Sequence, residues 1–424
     1  MREIYKRLWS SQLPKGTAED NVTLWFSGDS GINISHSTNI HLRGQQGKAS
    51  IIIDYDPPPP PNPTFKEKSG ITLQLYNCTQ VVVQDVVVRA APFMAVTAFQ
   101  GGGDHIFRRL RFVPRSDRTL VAVRDAIHFS DLRKGPTILD SNIGYSGDDF
   151  LNVHTTLLLV LECDRTTQLR MECLLVNPRV MANAKSNTVY GTFSVLPFVV
   201  SGDHLSFFAW PSTDMVMSPL IQSAVVVQLE DVSEVYGHIA QRALPPMLEY
   251  PPSMSWHEAT NQTHKFDAGE VWRVVLEMRH DFSSSALPPP VGIGTIATID
   301  TIATAGAKLI NNTFLHSHCN LGRFKSPGGV IQGNVFHQAW KPNLELTALP
   351  QFLEGPVDVR DILVADNLFL GVGPDDPVHC GPFCEKPECH PCYQCPHCHR
   401  DTPWARNITL RNNTIIKSTD LSGE

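Results

Sequence analysis

One short phrase keeps returning along this chain: a polar pair, an alternating apolar strand, an Asn, Asp or Gly corner, then a second apolar pair. It reads TNIHLRG near Asn39, TQVVVQDVVV near Val82, DHIFRRLRFV near Ile106 and GPTILDSNI near Ile138. It comes back as GGVIQGNVF near Ile331, RDILVADNLF near Leu363 and RNITLRNNTI near Thr409. The local spacing clusters at about 25 to 30 residues, a period that marks solenoids and stacked arrays. Strands this short bury no face alone, but stacked about 4.8 Å apart they share one continuous interior. The repeat predicts an all-β chain folded as a right-handed parallel β-helix, a solenoid. A β-sandwich is the competing fold and would show less regular phase.

Three stretches break the rhythm and set the expected domains. The run DPPPPPNPTF, Asp56 to Phe65, supplies no ladder donors and reads as a stiff surface loop. From about Val160 to Pro290, VVSGDHLSFFAW, SAVVVQLEDVSEVYG and EVWRVVLEMRH alternate like antiparallel strands. That segment reads as a small β-barrel or sandwich inserted between rungs. The expected organisation is therefore 1–159 as the first part of the helix, 160–290 as the insert and 291–424 as the second part. The third break, a Cys-rich loop over 379–403, falls within that second part.

Composition agrees with a β-rich, turn-rich chain: of 424 residues, 32 are proline, 28 glycine, and only 18% are charged. A net charge of -7 argues against a nucleic-acid partner, which requires a basic face. No apolar run approaches the roughly 20 residues of a membrane span. The first residues, MREIYKRLWSSQLPKGTAED, lack the apolar core of a signal peptide, yet the repeat starts almost at once without a polar cap. A leader and an N-terminal cap are therefore expected upstream, and the protein is expected to be secreted. Sequons at Asn21, Asn33, Asn77, Asn261, Asn311, Asn407 and Asn412 fit that route, although asparagine is also common at β-helix corners.

The densest chemistry lies in RDAIHFSDLRKGPTILDSNIGYSGDDFLNVHT, from Arg124 to Thr155. Asp125 precedes one strand, and the doublet Asp148-Asp149 precedes the next, about one repeat later. Stacked a rung apart, these acids would lie within several Å of each other. Like charges so close do not all ionise freely, so one carboxyl keeps a proton near neutral pH. Glycosidic cleavage needs that pairing of a protonated acid with an ionised partner. His128 and His154 follow the acids and are placed to orient them or to bind hydroxyls. Single aspartates such as Asp140, Asp361 and Asp366 read as turn caps. Asp104, in GGGDH, either lines the cleft one rung earlier or follows a glycine turn, and Asp131 is similar.

Asp125 with AIHFS, followed by GDDFLNVH, resembles the core of the β-helix glycosidases of the α-1,3-galactosidase family, whose pattern runs D-G-x-H-F-S and then D-D-x-x-N-V-H. It is similar, more distantly, to the polygalacturonases with their D-G-I and G-D-D motifs. The phrases IDYDP near Asp54 and GDHLSFF extend the resemblance, and the small barrel between rungs matches it. The resemblance implies inversion, with Asp125 as general acid and Asp148 and Asp149 as the pair that activates water. Ala126 stands where these families have glycine, and the polygalacturonase G-H-G motif is absent, which removes support for pectin as substrate.

Beyond the insert, KLINNTFLHSHCNLGRFKSPGG places Arg323 and Lys325 two apart in a strand, pointing the same way. The pair resembles the R-I-K substrate-binding element of polygalacturonases, and is read as forking onto sugar hydroxyls or an anionic group. Solvated charges on an exposed rung are the alternative. Asn320, with His316 and His318, reads as a ligand contact. Glu345 and Glu354 are expected in loops over the same groove, and Trp340 as a sugar-stacking platform or a core residue.

Six of the ten cysteines fall between Cys380 and Cys398, with His379, His390, His397 and His399 among them. In an oxidising compartment they make disulfides that staple a loop; in a reducing one, repeated C-x-x-C with histidines binds zinc. The disulfide reading agrees with secretion, and no catalysis is assigned to the segment. Cys78, Cys163, Cys173 and Cys319 read as buried thiols, with a Cys163–Cys173 pair as an alternative. The expected activity is exo-acting hydrolysis of α-linked galactose or a related sugar, without a cofactor or catalytic metal. A non-catalytic carbohydrate-binding protein and a polysaccharide lyase are the competitors.

Overall fold

The computed structural model describes residues 31–33, 39–45, 48–54, 73–91, 94–116, 119–167, 169–181, 189–190, 195–209, 219–237, 265–278, 291–346, 348, 354–372, 378–379 and 405–417. The proline run and the span Cys380 to Cys398 lie outside them, as do the side chains of Trp340 and Asp54. The chain is all-β, with parallel sheets and a small closed barrel.

Three parallel ladders are built in strict rotation. The first stacks Leu73–Tyr76, Val96–Phe99, Ile127–Ser130 and Leu151–Thr156, then the far end of Thr313–Phe324. The second stacks Lys48–Asp54, Val86–Val88, Arg111–Phe112, Asn142–Ser146, Thr313–Phe324, Val335–Glu345, Leu368–Val372 and Thr414–Lys417. The third runs from Val82–Gln84 through Ile106–Arg108, Thr137–Leu139, Lys308–Ile310, Val330–Gln332 and Leu363–Ala365 to Thr409–Arg411. The phrases near Val82, Ile106 and Ile138 each add one strand to each ladder.

Side-chain alternation sends one set of residues into a shared interior. Phe107, Phe129, Ile138, Phe150, Phe314, Phe336 and Phe369 are fully or almost fully buried in one cluster. The rings of Phe314, Phe336 and Phe369 lie nearly parallel, with centroids 4.8 and 5.0 Å apart. These spacings match the strand separation, so the same side chain repeats at each level.

The corner between the third and second ladders is held by a file of amides. Asn334 accepts on Oδ1 from the Asn312 backbone N–H at 2.9 Å, and donates from Nδ2 to the Leu309 carbonyl and to Asn367 Oδ1. Asn367 repeats the pattern onto Asn413. Just ahead of this file, Asp140, Asn311, Gly333, Asp366 and Asn412 have positive φ, which Asn, Asp and Gly tolerate best. Asp361 is left-handed as well, so all three acids sit at turns, and Asp361 and Asp366 accept from the side chains of Asn407 and Gln332 on neighbouring turns. The sequon residues Asn77, Asn311, Asn407 and Asn412 also occupy left-handed positions, so corner geometry alone accounts for asparagine there.

The insert is an antiparallel barrel. Its strands follow the order Leu158–Arg165, Gly292–Ile299, His204–Ala209, Pro219–Asp231, Lys265–Glu277 and Arg170–Met181, and the first closes on the last. Its core is a second apolar cluster around Leu175, Phe207, Val226 and Leu276. Cys163 and Cys173 form a disulfide across adjacent strands. The barrel starts at Leu158 and ends at Ile299 rather than spanning 160–290. The prolines before Val291 read as its close, but the chain makes one more barrel strand after them. Arg133 docks the barrel through a bidentate pair with Asp203, 2.6 and 2.9 Å, and through the Phe198 carbonyl at 3.1 Å. Among the described residues no helix is long and apolar enough to cross a membrane.

Asn334→Ala removes an acceptor and donors from a buried file. It is expected to lower the unfolding free energy by about 2–4 kcal/mol in urea titrations, since partners on both sides lose hydrogen bonds.

Candidate functional site

Parallel register assembles the candidate site from residues far apart in sequence. Ile127 pairs with Leu151 and His128 with Asn152, and the Ala126 N–H donates to the Asp149 carbonyl at 3.0 Å. Asp149 therefore lies in step with Asp125 on the neighbouring strand. One further step pairs Asn152 with Arg323, and another pairs Arg323 with Glu345. Ahead of both catalytic-candidate strands the alternation breaks. Ala126 and Ile127 both enter the core, as do Phe150 and Leu151. Asp125 and His128, three apart, consequently share the outer side and touch: His128 Nδ1 is 2.7 Å from Asp125 Oδ2.

The three acids have different surroundings. Asp125 is almost completely buried, and burial raises its pKa against the pull of the neighbouring His128; Asp148 adds to the rise and Arg323 opposes it. Asp149 is also buried. Its Oδ1 accepts from the Asn320 N–H at 3.1 Å, and Arg323 Nε lies 3.2 Å from Oδ2. Burial pushes Asp149 up to about 8, against Arg323 and with help from Asp125, Asp148 and Glu345. Asp148 keeps 27% of its side chain exposed and accepts from Arg124 Nη1 at 3.2 Å. Its backbone carbonyl is fixed by the Ser146 and Ser317 hydroxyls at 3.0 and 2.7 Å. The Asp148-Asp149 pair is therefore split by environment, one acid facing outward on an arginine and one buried beneath.

Behind the acids lies a charged layer. Arg323 Nε reaches Glu345 at 3.1 Å, and its Nη1 lies 3.7 Å from Glu354. These carboxylates and Asp149 overcome burial and raise the arginine well above its ordinary pKa. Lys325 has no exposed side-chain surface and pairs with Glu354 Oε2, while Asn152 Nδ2 donates to Glu354 Oε1 at 3.1 Å. Glu354 is held below the usual carboxylate range: burial works against this, and Lys325 outweighs it. Glu345 and Glu354 belong to strands rather than overhanging loops. Glu345 ends the strand Val335–Glu345. Glu354 sits in a short strand paired antiparallel with Thr155 and Thr156. Lys325 therefore positions Glu354 and does not reach a ligand, whereas Arg323 keeps 18% exposure at the acids.

Asp104 does not join this set. It sits at a left-handed corner, 2.8 Å from Lys134, with Gln80 as its other partner. Asp131 is a buried structural acid that accepts from Thr155 Oγ1, the Thr156 N–H and Thr156 Oγ1 at 2.9, 2.6 and 2.9 Å. His316 packs at a tilt between Tyr145 and His337, with ring centroids 5.0 and 5.9 Å away. Sequence reading missed Arg124 and Asn152, although both stand inside the phrases that carry the acids; their signal was adjacency to Asp125 and the register with Arg323. Asp148, Asp149 and Cys319 each bring one potential ligand atom within 4.8 Å of the others. Arg124 lies against Asp148 and Arg323 against Asp149, and both cations oppose a metal ion there. No family model matches this chain, and no curated protein matches it.

Two outcomes follow from this electrostatics. Breaking the buried pair with Lys325→Met leaves Glu354 with only Asn152 and the more distant Arg323, and is expected to cost about 3–5 kcal/mol in chemical denaturation. Asp149 binds a proton in the folded state that the unfolded chain releases, so its contribution to stability falls as pH rises from about 4 to about 8. Asp149→Asn is expected to flatten that part of the profile of melting temperature against pH.

Proposed function

We propose that the three ladders form a right-handed parallel β-helix, and that the chain is a secreted, inverting glycoside hydrolase acting on α-linked galactose or a related sugar of a glycan or polysaccharide. The observation that carries this reading is the set of three carboxylates with split surroundings. Asp125 and Asp149 lie in register and are driven toward the protonated form, beside an outward Asp148 ion-paired with Arg124. The sequence resemblance to the α-1,3-galactosidase family supports the same assignment. The Cys163–Cys173 disulfide supports an oxidising compartment.

In this reading Asp125 gives its proton to the leaving glycosidic oxygen as the bond to the anomeric carbon breaks. Asp148 removes a proton from the water that attacks the opposite face. Asp149, tied to Arg323 and the Asn320 N–H, holds the water's second side. Arg323, partly exposed, faces the sugar hydroxyls, whereas both ring nitrogens of His128 are engaged by Asp125 and His154. Lysis of a uronate, which needs a calcium site or an arginine or lysine that can act as base, fits less well on the cations present. Arg323 is committed to three carboxylates, and Lys325 is sealed against Glu354.

The test uses a panel of nitrophenyl α-galactosides and oligogalactans with wild type, Asp125→Asn and Asp148→Asn. Wild type is expected to release sugar, and each variant to lose about 10²–10⁴-fold in kcat with binding retained. Equal binding by all three with no release by any would establish a binding protein instead.

A further inference from the structure

We infer that His128 and His154 form a directed hydrogen-bond chain that stores one proton against Asp125, making His128 the residue that holds and returns the proton of the proposed acid. The inference rests on the glycosidase reading for its catalytic meaning, while the direction of the chain follows from the hydrogen-bond geometry and the burial of His154.

The direction is fixed from the buried end. His154 Nδ1 lies 3.1 Å from the Thr155 carbonyl oxygen, which only accepts, so Nδ1 carries the hydrogen. His154 is buried, and burial, against Glu354 and with help from His128 and Lys325, pushes it down to about 3. The ring is therefore neutral at working pH and presents a bare Nε2. His128 Nε2 stands 2.9 Å from that atom and must donate to it. The remaining nitrogen of His128, Nδ1, faces Asp125 Oδ2 at 2.7 Å. One proton occupies that last gap, on oxygen or on nitrogen, and in either position the pair is neutral overall.

The surroundings keep this proton local. The Phe99 ring packs against His128, with centroids 5.6 Å apart, and Thr304 Oγ1 bonds the His154 carbonyl at 2.9 Å. Glu354 and Lys325 face His154 as a paired couple, so their charges largely cancel there. Asp148 and Arg323 act on Asp125 with opposite signs. His128 retains 13% exposure, which gives the pair a route to solvent. During turnover the glycosidic C–O bond breaks and the leaving oxygen takes the stored proton. The attacking water loses a proton to Asp148. Asp148 then releases its proton to solvent, and Asp125 with His128 takes one up, which restores the starting state. His154 acts only through His128 and is a positioning residue.

Two readouts test the chain. In histidine-¹⁵N-labelled wild type, long-range ¹H–¹⁵N spectra are expected to show His154 as the Nδ1–H tautomer from pH 5 to 8, with His128 protonated at Nε2. A His154 ring protonated at Nε2 would overturn the inference, whether or not the protein hydrolyses sugars. For kcat/KM on a nitrophenyl α-galactoside, His154→Gln keeps an acceptor for His128 and is expected to retain the wild-type basic limb. His154→Phe removes that acceptor, lowers the proton affinity of the pair, and is expected to move the limb down by about one pH unit, a tenfold change in proton affinity. An unchanged limb in a folded Phe variant would also overturn the inference. Absence of hydrolysis by wild type would instead end the glycosidase reading and leave the tautomers to decide this one.

Discussion

The structure depends on parallel pairing that returns each residue to the same place one strand later. Ile127 over Leu151 and His128 over Asn152 fix a register in which outward residues align along the ladder as surely as the phenylalanines align inside. The backbone hydrogen bonds that set this register carry no chemistry. They decide, however, which side chains are neighbours, and a shift of one residue would send the acids of the first ladder into the core. Thr97, His128, Asn152, Arg323 and Glu345 form one such aligned row, drawn from segments on both sides of a complete inserted barrel.

Burying so many charges is costly, and the cost is offset pairwise. Arg323 is shared among Asp149, Glu345 and Glu354, and Lys325 is held by Glu354. Such an arrangement contributes little net stability compared with an apolar layer, but any single deletion leaves a stranded charge. It fixes the position of Asp149 beneath Asp148, and so gives two adjacent residues unlike surroundings. The strand Glu354–Gly355, laid antiparallel against Thr155–Thr156, completes the layer from a distant part of the chain.

The all-β character and the parallel pairing were legible because their signal is local and repeated. The corner residues Asp140, Asn311, Gly333 and Asp366 and the apolar strands beside them recur with each passage, and the structure puts them in three parallel ladders. The encounter of Asp125 with Asp149 was legible for the same reason, since one period separates them. Less visible was anything fixed by tertiary contact. Lys325 looked like a cleft residue because it lies two from Arg323, but the segment covering it comes from Glu354, whose approach leaves no periodic trace. Asp104 follows glycines much as the doublet does, and only the backbone path puts it beside Lys134 instead. The end of the barrel was misplaced because prolines before Val291 resemble a boundary, while pairing of Gly292–Ile299 with two barrel strands overrides them.

In the proposed glycosidase reading, stacked strands bring an acid and a water-activating base to one sugar. The stereochemistry of the first sugar released tests it most directly. Proton NMR recorded during hydrolysis of a nitrophenyl α-galactoside reports the anomer before mutarotation. Under the proposed inverting mechanism β-galactose appears first, because water activated by Asp148 would attack the face opposite the leaving group. Initial appearance of α-galactose would mean a covalent intermediate, and would contradict the assignment of Asp125 and Asp148 as acid and base.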